Sequence, residues 1–433
     1  MRRQRALPKS MSVEMMDGES AKWREEISRF EHALERAPVF ERRLFLRLRY
    51  YHGWRFLEQG MVPIPLLQER ESWLRLADRG RAKWARLPPH REHWQRGESQ
   101  LVRTLPSAAI GAPFGPICDE TQLLNTSDPA LTTYLSDGER FFDLASAIHD
   151  NFLHESNHSP SRPALQGDIF YAHTLRIIVQ NQNIAHAWES QLSLRLILDH
   201  RFSERWSLRR APSSFLPLAL SGARLWRQYH QREESAETIQ SDASVLFHPR
   251  AFESLLRAVL PALLTPRNVE RPALHAELTV RNAPLLDGLL LSEAFDDLGV
   301  IRGEECLIQS GYVKAEARID PLGGEWGHAG LTPRFSNLLV DAGNYSRSDF
   351  PHEKGSIYLE RATAQLDLKE AVVVLTALRG LTLKGELIPH RSMLTVPIER
   401  FFSGRSEQEQ LFRLSRERME TPSGLFPFAW IQL

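Results

Sequence analysis

The sequence has almost no cysteine and no net charge. Its 433 residues include only Cys118 and Cys306, which cannot build a disulfide framework or a cysteine-rich zinc site. Lysine plus arginine equals aspartate plus glutamate at 54 each, so the formal net charge is zero. This balance argues against nucleic-acid binding and against attraction to an anionic membrane, because both need a long-range positive field.

Long apolar runs are also missing. No window approaches the roughly 20 apolar residues that a membrane-spanning helix needs. The basic start, residues 1–5, is not followed by the apolar core of a signal peptide. The sequence also lacks a Gly-rich phosphate loop and a Gly-x-Ser-x-Gly nucleophile elbow. With 42% hydrophobic residues, we expect a globular, cytoplasmic protein.

Apolar periodicity predicts helices and antiparallel strands in the first half of the chain. Helices are predicted at 20–38, 136–155 and 217–231. Strands are predicted at 44–51, on both sides of a turn in 72–85, and in a meander of 169–175, 176–181 and 190–198. A short strand at 245–247 then leads into an apolar helix.

The second half is richer in β patterns, so the expected fold class is α+β. Strands are predicted at 278–280, 305–308, 312–317, 337–340, 356–360 and 371–376. We expect a disordered tail at 1–19, an N-terminal helix-and-sheet domain at 20–210, and a mostly β domain at 211–433. If the N-terminal domain forms two subdomains, they comprise residues 20–105 and 106–210.

Several segments occur in an order that resembles the TldD/PmbA family of metallopeptidases. The segments are 245–256 with its paired leucines, Pro284-Leu-Leu-Asp-Gly288, Phe295-Asp-Asp-Leu-Gly-Val300, the hairpin 306–314, Gly327-His-Ala-Gly330 and 333–343. The segment 73–85 is similar to the family's N-terminal strand–turn–strand. The resemblance extends from about residue 20 to the end of the sequence and implies an N-terminal α/β part followed by a β-rich domain.

The resemblance also implies where a metal site would lie. Catalytic members carry His-Glu-x-x-x-His directly after the paired leucines, with a further Cys downstream. Here the matching positions are Arg257, Ala258 and Ala262, and no Cys follows Cys306. Arginine has no lone pair for zinc, and alanine offers neither a ligand nor a base. We therefore expect no catalytic or metal-binding residue in this part of the chain.

This pattern is similar to the TldE (PmbA) branch, which implies a non-catalytic subunit of a heterodimer. A TldD-like partner would supply zinc, and the pair would enclose a chamber for degrading or maturing peptides. We expect His328, Arg334 and Asn337 to face the substrate groove. Nucleic acid and membranes are not expected partners.

Two alternatives remain open. His154-Glu155-Ser-Asn-His158 has the His-Glu-x-x-His spacing of an autonomous zinc peptidase, which needs both histidines on one helical face. Residues 156–162 are rich in Ser, Asn and Pro, which favours a helix end before His158. The second alternative is a peptide-binding scaffold that has no enzymatic partner.

Overall fold

The computed structural model describes residues 41–57, 60–78, 81–87, 128–157, 163–180, 183–199, 202–230, 244–264, 274–292, 303–314, 335–350, 356–402 and 412–432, with short gaps in three of these ranges, and a few isolated positions before residue 104. The predicted tail 1–19, the predicted helix 20–38 and the Phe295–Val300 turn therefore lie outside the described residues, apart from isolated positions. Two compact units group the chain as 1–229 and 230–433, with 293–302 and 321–331 counted in the first.

The first unit contains a six-stranded antiparallel sheet in the order β3-β2-β1-β4-β5-β6. Its strands are β1 (Glu41–Leu57), β2 (Gly60–Asp78), β3 (Arg81–Arg86), β4 (Leu165–Gln180), β5 (Asn183–Leu198) and β6 (Phe202–Leu208). Its helices are α1 (Pro129–Ser136), α2 (Gly138–Ser156), α3 (Leu216–Ala219) and α4 (Ser221–His230).

The helices of this unit cover one face of its sheet. Asp137 caps α2 by accepting the backbone N–H groups of Glu139 and Arg140, which satisfies donors that a helix start leaves free. The apolar stripe predicted for this helix is buried, as are Trp54 on β1 and Leu225 on α4. Removal of these apolar side chains from water is the main source of stability here.

The second unit contains a larger mixed sheet in the order β10-β9-β8-β11-β16-β7-β12-β13-β14, with β15 paired to β16. Its strands are β7 (Ser244–Phe247), β8 (Val280–Asn282), β9 (Glu305–Gln309), β10 (Tyr312–Val313), β11 (Leu338–Val340), β12 (Ile357–Asp367), β13 (Val372–Thr382), β14 (Met393–Pro397), β15 (Phe412–Thr421) and β16 (Gly424–Gln432). Helix α5 (Pro249–Leu264) packs on it.

The expected α+β fold class with a mostly β second half is confirmed. Three details were predicted wrongly. Segments 169–175 and 176–181 form one strand, β4. The strand continues through Arg176, whose charge is paired with Glu189 on β5 at 3.1 Å. The predicted helix 217–231 is two helices, α3 and α4. Helix α1 and strands β6, β14 and β15 were not predicted.

Candidate functional site

Helix α5 begins directly after strand β7. Pro249 occupies its first turn, where its missing N–H costs nothing. His248 precedes it, and its Nδ1 accepts the backbone N–H of Arg250 at 3.2 Å. Burial, followed by the charges of Arg250 and two other arginines, lowers the pKa of His248 to about 4. The ring is therefore neutral at pH 7, as this acceptor role requires.

The centre of the candidate site is an ion pair on α5. The Nε of Arg257 donates to Glu253 Oε1 at 3.0 Å, one helical turn earlier. The Ser423 hydroxyl also donates to Glu253. Burial lowers the pKa of Arg257, while Glu253 opposes that change. The pair is largely shielded from water, since the two side chains keep only 22% and 10% of their exposure.

The rest of the Arg257 guanidinium is bound to main-chain carbonyls from distant segments. It donates to the carbonyl oxygens of Phe335 at 3.3 Å, Ser336 at 2.9 Å and Ser423 at 2.7 Å. A planar guanidinium has five N–H donors and suits such fixed, multiple bonding. Arg257 therefore ties α5 to the segment before β11 and to the turn between β15 and β16.

A second set of polar side chains holds the segment that Arg257 contacts. Asn282 Oδ1 accepts from both the backbone N–H and the hydroxyl of Ser336, at 2.9 and 2.7 Å. Asn337 Nδ2 donates to Ser292 Oγ at 3.0 Å, and its Oδ1 accepts the Leu291 N–H at 3.1 Å. Asn337 is fully buried. The predicted groove residue Asn337 thus bonds to the protein's own loop in this structure.

The residues at the matching metal positions do not fit zinc. Arg257 has no lone pair to offer and already bonds to four protein groups. Ala258 packs against the core of the unit, and Ala262 is buried. Neither methyl group can ligate a metal or accept a proton from water. No hydrolytic step can therefore be assigned to this set of side chains.

The alternative zincin segment lies at the end of α2 in the first unit. The helix ends at Ser156. His154 is exposed, and Glu155 accepts a hydrogen bond from Arg227 on α4 at 2.5 Å. That bond lowers the pKa of Glu155. His158, His328 and Arg334 lie outside the described residues, so their roles stay predictions.

Sequence reasoning located Arg257 but missed the residues that bind it. The Glu253–Arg257 pair has the i, i+4 spacing that favours a salt bridge on a helix, so this partner could have been predicted. No local signal marks Ser336 and Ser423, which bind Arg257, or Asn282, which binds Ser336, because these contacts join segments that are distant in sequence. In the portion of the chain with assigned positions, no helix is long and apolar enough to cross a membrane.

These elements define an α+β protein whose α5 helix is held by an arginine clamp, the hydrogen bonds of Arg257 to Glu253, Phe335, Ser336 and Ser423. Among solved structures the chain is similar to TldE from Thermococcus kodakarensis, with 12% identity, a TM-score of 0.64, and coverage of 94% of this chain and 98% of that one. It is similar to a candidate modulator of DNA gyrase from Thermotoga maritima, with 14% identity, a TM-score of 0.63 and the same coverages.

A further similar structure is a candidate modulator of DNA gyrase from Bacteroides thetaiotaomicron. Its identity is 11% and its TM-score 0.65, with coverage of 98% of this chain and 100% of that one. No protein-family model and no curated protein sequence matches the chain. The resemblance drawn from the sequence is therefore confirmed for the fold, which at these identities is what the comparisons establish.

Proposed function

We propose that this chain is the non-catalytic, TldE-like subunit of a heterodimeric peptidase. In this proposal a TldD-like partner holds zinc and the general base. The present chain stabilises that partner and supplies part of the wall of a chamber that binds peptides for degradation or maturation. The observation that carries the proposal is Arg257, a fixed cation at the position where a catalytic member has its first zinc-binding histidine.

The clamp supports a structural role for α5 in this chain. A catalytic helix must present its ligands to an open coordination position. Here the Arg257 side chain bonds to Glu253, Phe335, Ser336 and Ser423. These bonds fix the helix against two segments of the second unit and leave no group on this turn to activate water. The chemistry of the proposed complex therefore has to come from the other chain.

Co-expression tests the proposal directly. A tagged form of this chain and a TldD-like protein from the same genome are expressed together and purified through the tag. We expect co-purification in a 1:1 ratio, peptidase activity in the pair, and none in this chain alone. If the chain purifies alone, the heterodimer is excluded and a scaffold without an enzymatic partner becomes the better account.

Metal analysis separates the proposal from an autonomous zinc peptidase. We expect the isolated chain to hold no stoichiometric zinc, and His154→Ala to leave the activity of the pair unchanged. Zinc bound in a 1:1 ratio to the isolated chain and lost on His154→Ala would overturn the proposal. Arg227→Ala is a matched control, because it removes the partner of Glu155 without touching a possible ligand.

A further inference from the structure

A row of charged residues crosses the first sheet on the face opposite its helices. In the pairing register, Arg55 on β1 lies opposite Asp168 on β4, Asp168 opposite Arg195 on β5, and Arg195 opposite Arg205 on β6. Directly opposite residues share a face, with Cβ atoms about 5 Å apart. Three guanidinium groups and one carboxylate therefore stand in line, an excess of two positive charges.

The positive charges of the row are only partly compensated by Asp168. Arg55, Arg195 and Arg205 are exposed. Among the residues that the structure describes, they form no ion pair within 4 Å, whereas Arg47 and Arg49 on the same face pair with Glu71 and Glu69. Two arginines in directly opposite positions repel each other. Burial raises the pKa of Asp168, and the attraction of Arg55 and Arg195 opposes this.

A cavity of about 580 Å³, largely open to solvent, lies where the row reaches β1. Arg55 and Asp168 line it, together with Leu57, Gln166 and Ile197. Leu57 is 42% exposed, so its apolar side chain is accessible at the end of β1. Cavities of roughly 300–1,000 Å³ with apolar walls and a few polar groups are typical of small-molecule sites. A cationic group, an anionic group and apolar surface thus meet in one cavity.

We propose that this cavity binds a short peptide with free termini. Arg55 would hold the terminal carboxylate, Asp168 the terminal ammonium group, and Leu57 and Ile197 the apolar side chains. A simple anion would meet the Asp168 carboxylate, and a simple cation would meet Arg55, so only a zwitterionic ligand satisfies both. The cavity is larger than one amino acid requires, which favours a di- or tripeptide. This site does not depend on the proposed TldD-like partner.

The test uses L-leucyl-L-leucine and the isolated full-length chain, with binding measured by calorimetry. We expect a dissociation constant below about 1 mM. N-acetyl-L-leucyl-L-leucine lacks the ammonium group and L-leucyl-L-leucinamide lacks the carboxylate. Each should bind about tenfold more weakly, because each leaves one charged group of the protein unpaired. These blocked peptides need no protein variant, so the test holds even if a substitution impairs folding.

Two variants assign the contacts. Asp168→Asn should weaken binding of the free dipeptide about tenfold but should not weaken binding of the N-acetylated peptide further. Likewise, Arg55→Gln should weaken binding of the free dipeptide about tenfold but should not weaken binding of the dipeptide amide further. Arg47→Gln, an exposed arginine on the same strand and face that pairs with Glu71, is the control and should bind as wild type. No binding at about 10 mM dipeptide, or equal binding of the free and N-acetylated peptides, would overturn the proposal.

Discussion

The guanidinium of Arg257 donates a hydrogen bond of 2.7 Å to the carbonyl oxygen of Ser423, which lies 166 positions further along the chain. The Ser423 hydroxyl in turn donates a hydrogen bond to Glu253, the ion-pair partner of Arg257. One helical turn of α5 and one strand-to-strand turn are therefore joined by reciprocal polar contacts. The stability of the second unit should depend on this junction.

Arg257→Ala should destabilise the protein by about 3 kcal/mol, because it leaves Glu253 as an unpaired, largely buried charge. Arg257→Lys should recover part of the loss, since lysine keeps the charge but cannot reach several carbonyls at once. Arg227→Ala, which removes an exposed ion pair, should cost less than about 1 kcal/mol. Urea unfolding checks all three, and equal losses for Arg257→Ala and Arg227→Ala would contradict this account.

Stability should fall below pH 6.5 because of two buried histidines on the first sheet. Burial lowers the pKa of both His52 and His173 to about 4. Depressed pKa values mean that the folded state holds the rings neutral while the unfolded chain takes up protons. Their contribution to the free energy of unfolding is fully present above pH 6.5. It is lost as the pH falls toward 4, by up to about 1.4 kcal/mol per pH unit for each ring.

His52→Phe should reduce this dependence, since the ring makes edge contacts with Phe141 and Tyr171 that an aromatic side chain can retain. His154→Ala removes an exposed histidine on α2 and is the control. Unfolding in urea at pH 7, 6 and 5 measures the slope. A stability that does not vary over this range, or a slope unaffected by His52→Phe, would count against the buried neutral rings as the cause.

Asn337→Ala distinguishes a structural role from a substrate contact. The change removes two buried hydrogen bonds, to Leu291 and Ser292, and should destabilise the chain by about 2–3 kcal/mol. Asn344→Ala, at an exposed position in the same segment, should have little effect. If Asn337→Ala instead leaves stability unchanged and raises only the KM of the proposed heterodimer for peptide, the side chain contacts substrate.

Gly222→Ala should destabilise the first unit, although an alanine within a helix is more favourable than a glycine by about 1 kcal/mol. A Cβ at position 222 of α4 would lie 2.3 Å from the carbonyl oxygen of Ile148 and 2.9 Å from the Cβ of Phe152, both on α2. The two helices would have to separate. Gly303→Ala meets nothing within 4 Å and is the matched control. A higher Tm for Gly222→Ala would show that the helix contact is looser than the structure indicates.

Local patterns predicted the elements that local chemistry determines. The α2 stripe, the passage from β7 into α5, and the β9–β10 hairpin at Gly311 all follow from periodicity or from a backbone conformation that glycine favours; Gly311 has a φ of +81°. The sequence also located Arg257, because the paired leucines fix its position on the helix.

Non-local contacts account for what the sequence did not predict. Segments 169–175 and 176–181 were predicted as separate strands, but they form the single strand β4. Arg176 shares the carboxylate of Glu189 with Arg209, and these contacts form only when β4, β5 and the segment after β6 meet. The carbonyl partners of Arg257 come from positions 78, 79 and 166 residues away. The charged row of the first sheet likewise depends on strand register, which places Arg55, Asp168 and Arg195 side by side.

Strand β16 lies at the middle of the second sheet, between β11 and β7, although it follows every other strand of that sheet along the chain. During synthesis the earlier strands must therefore wait, with an incomplete sheet, until residues 424–432 leave the ribosome. Until then, β7 and β11 expose backbone groups that β16 will later pair. From the synthesis of β7 at residues 244–247 until β16 is complete, these edges are open to pairing with other chains, and a product truncated before β16 would be prone to aggregation.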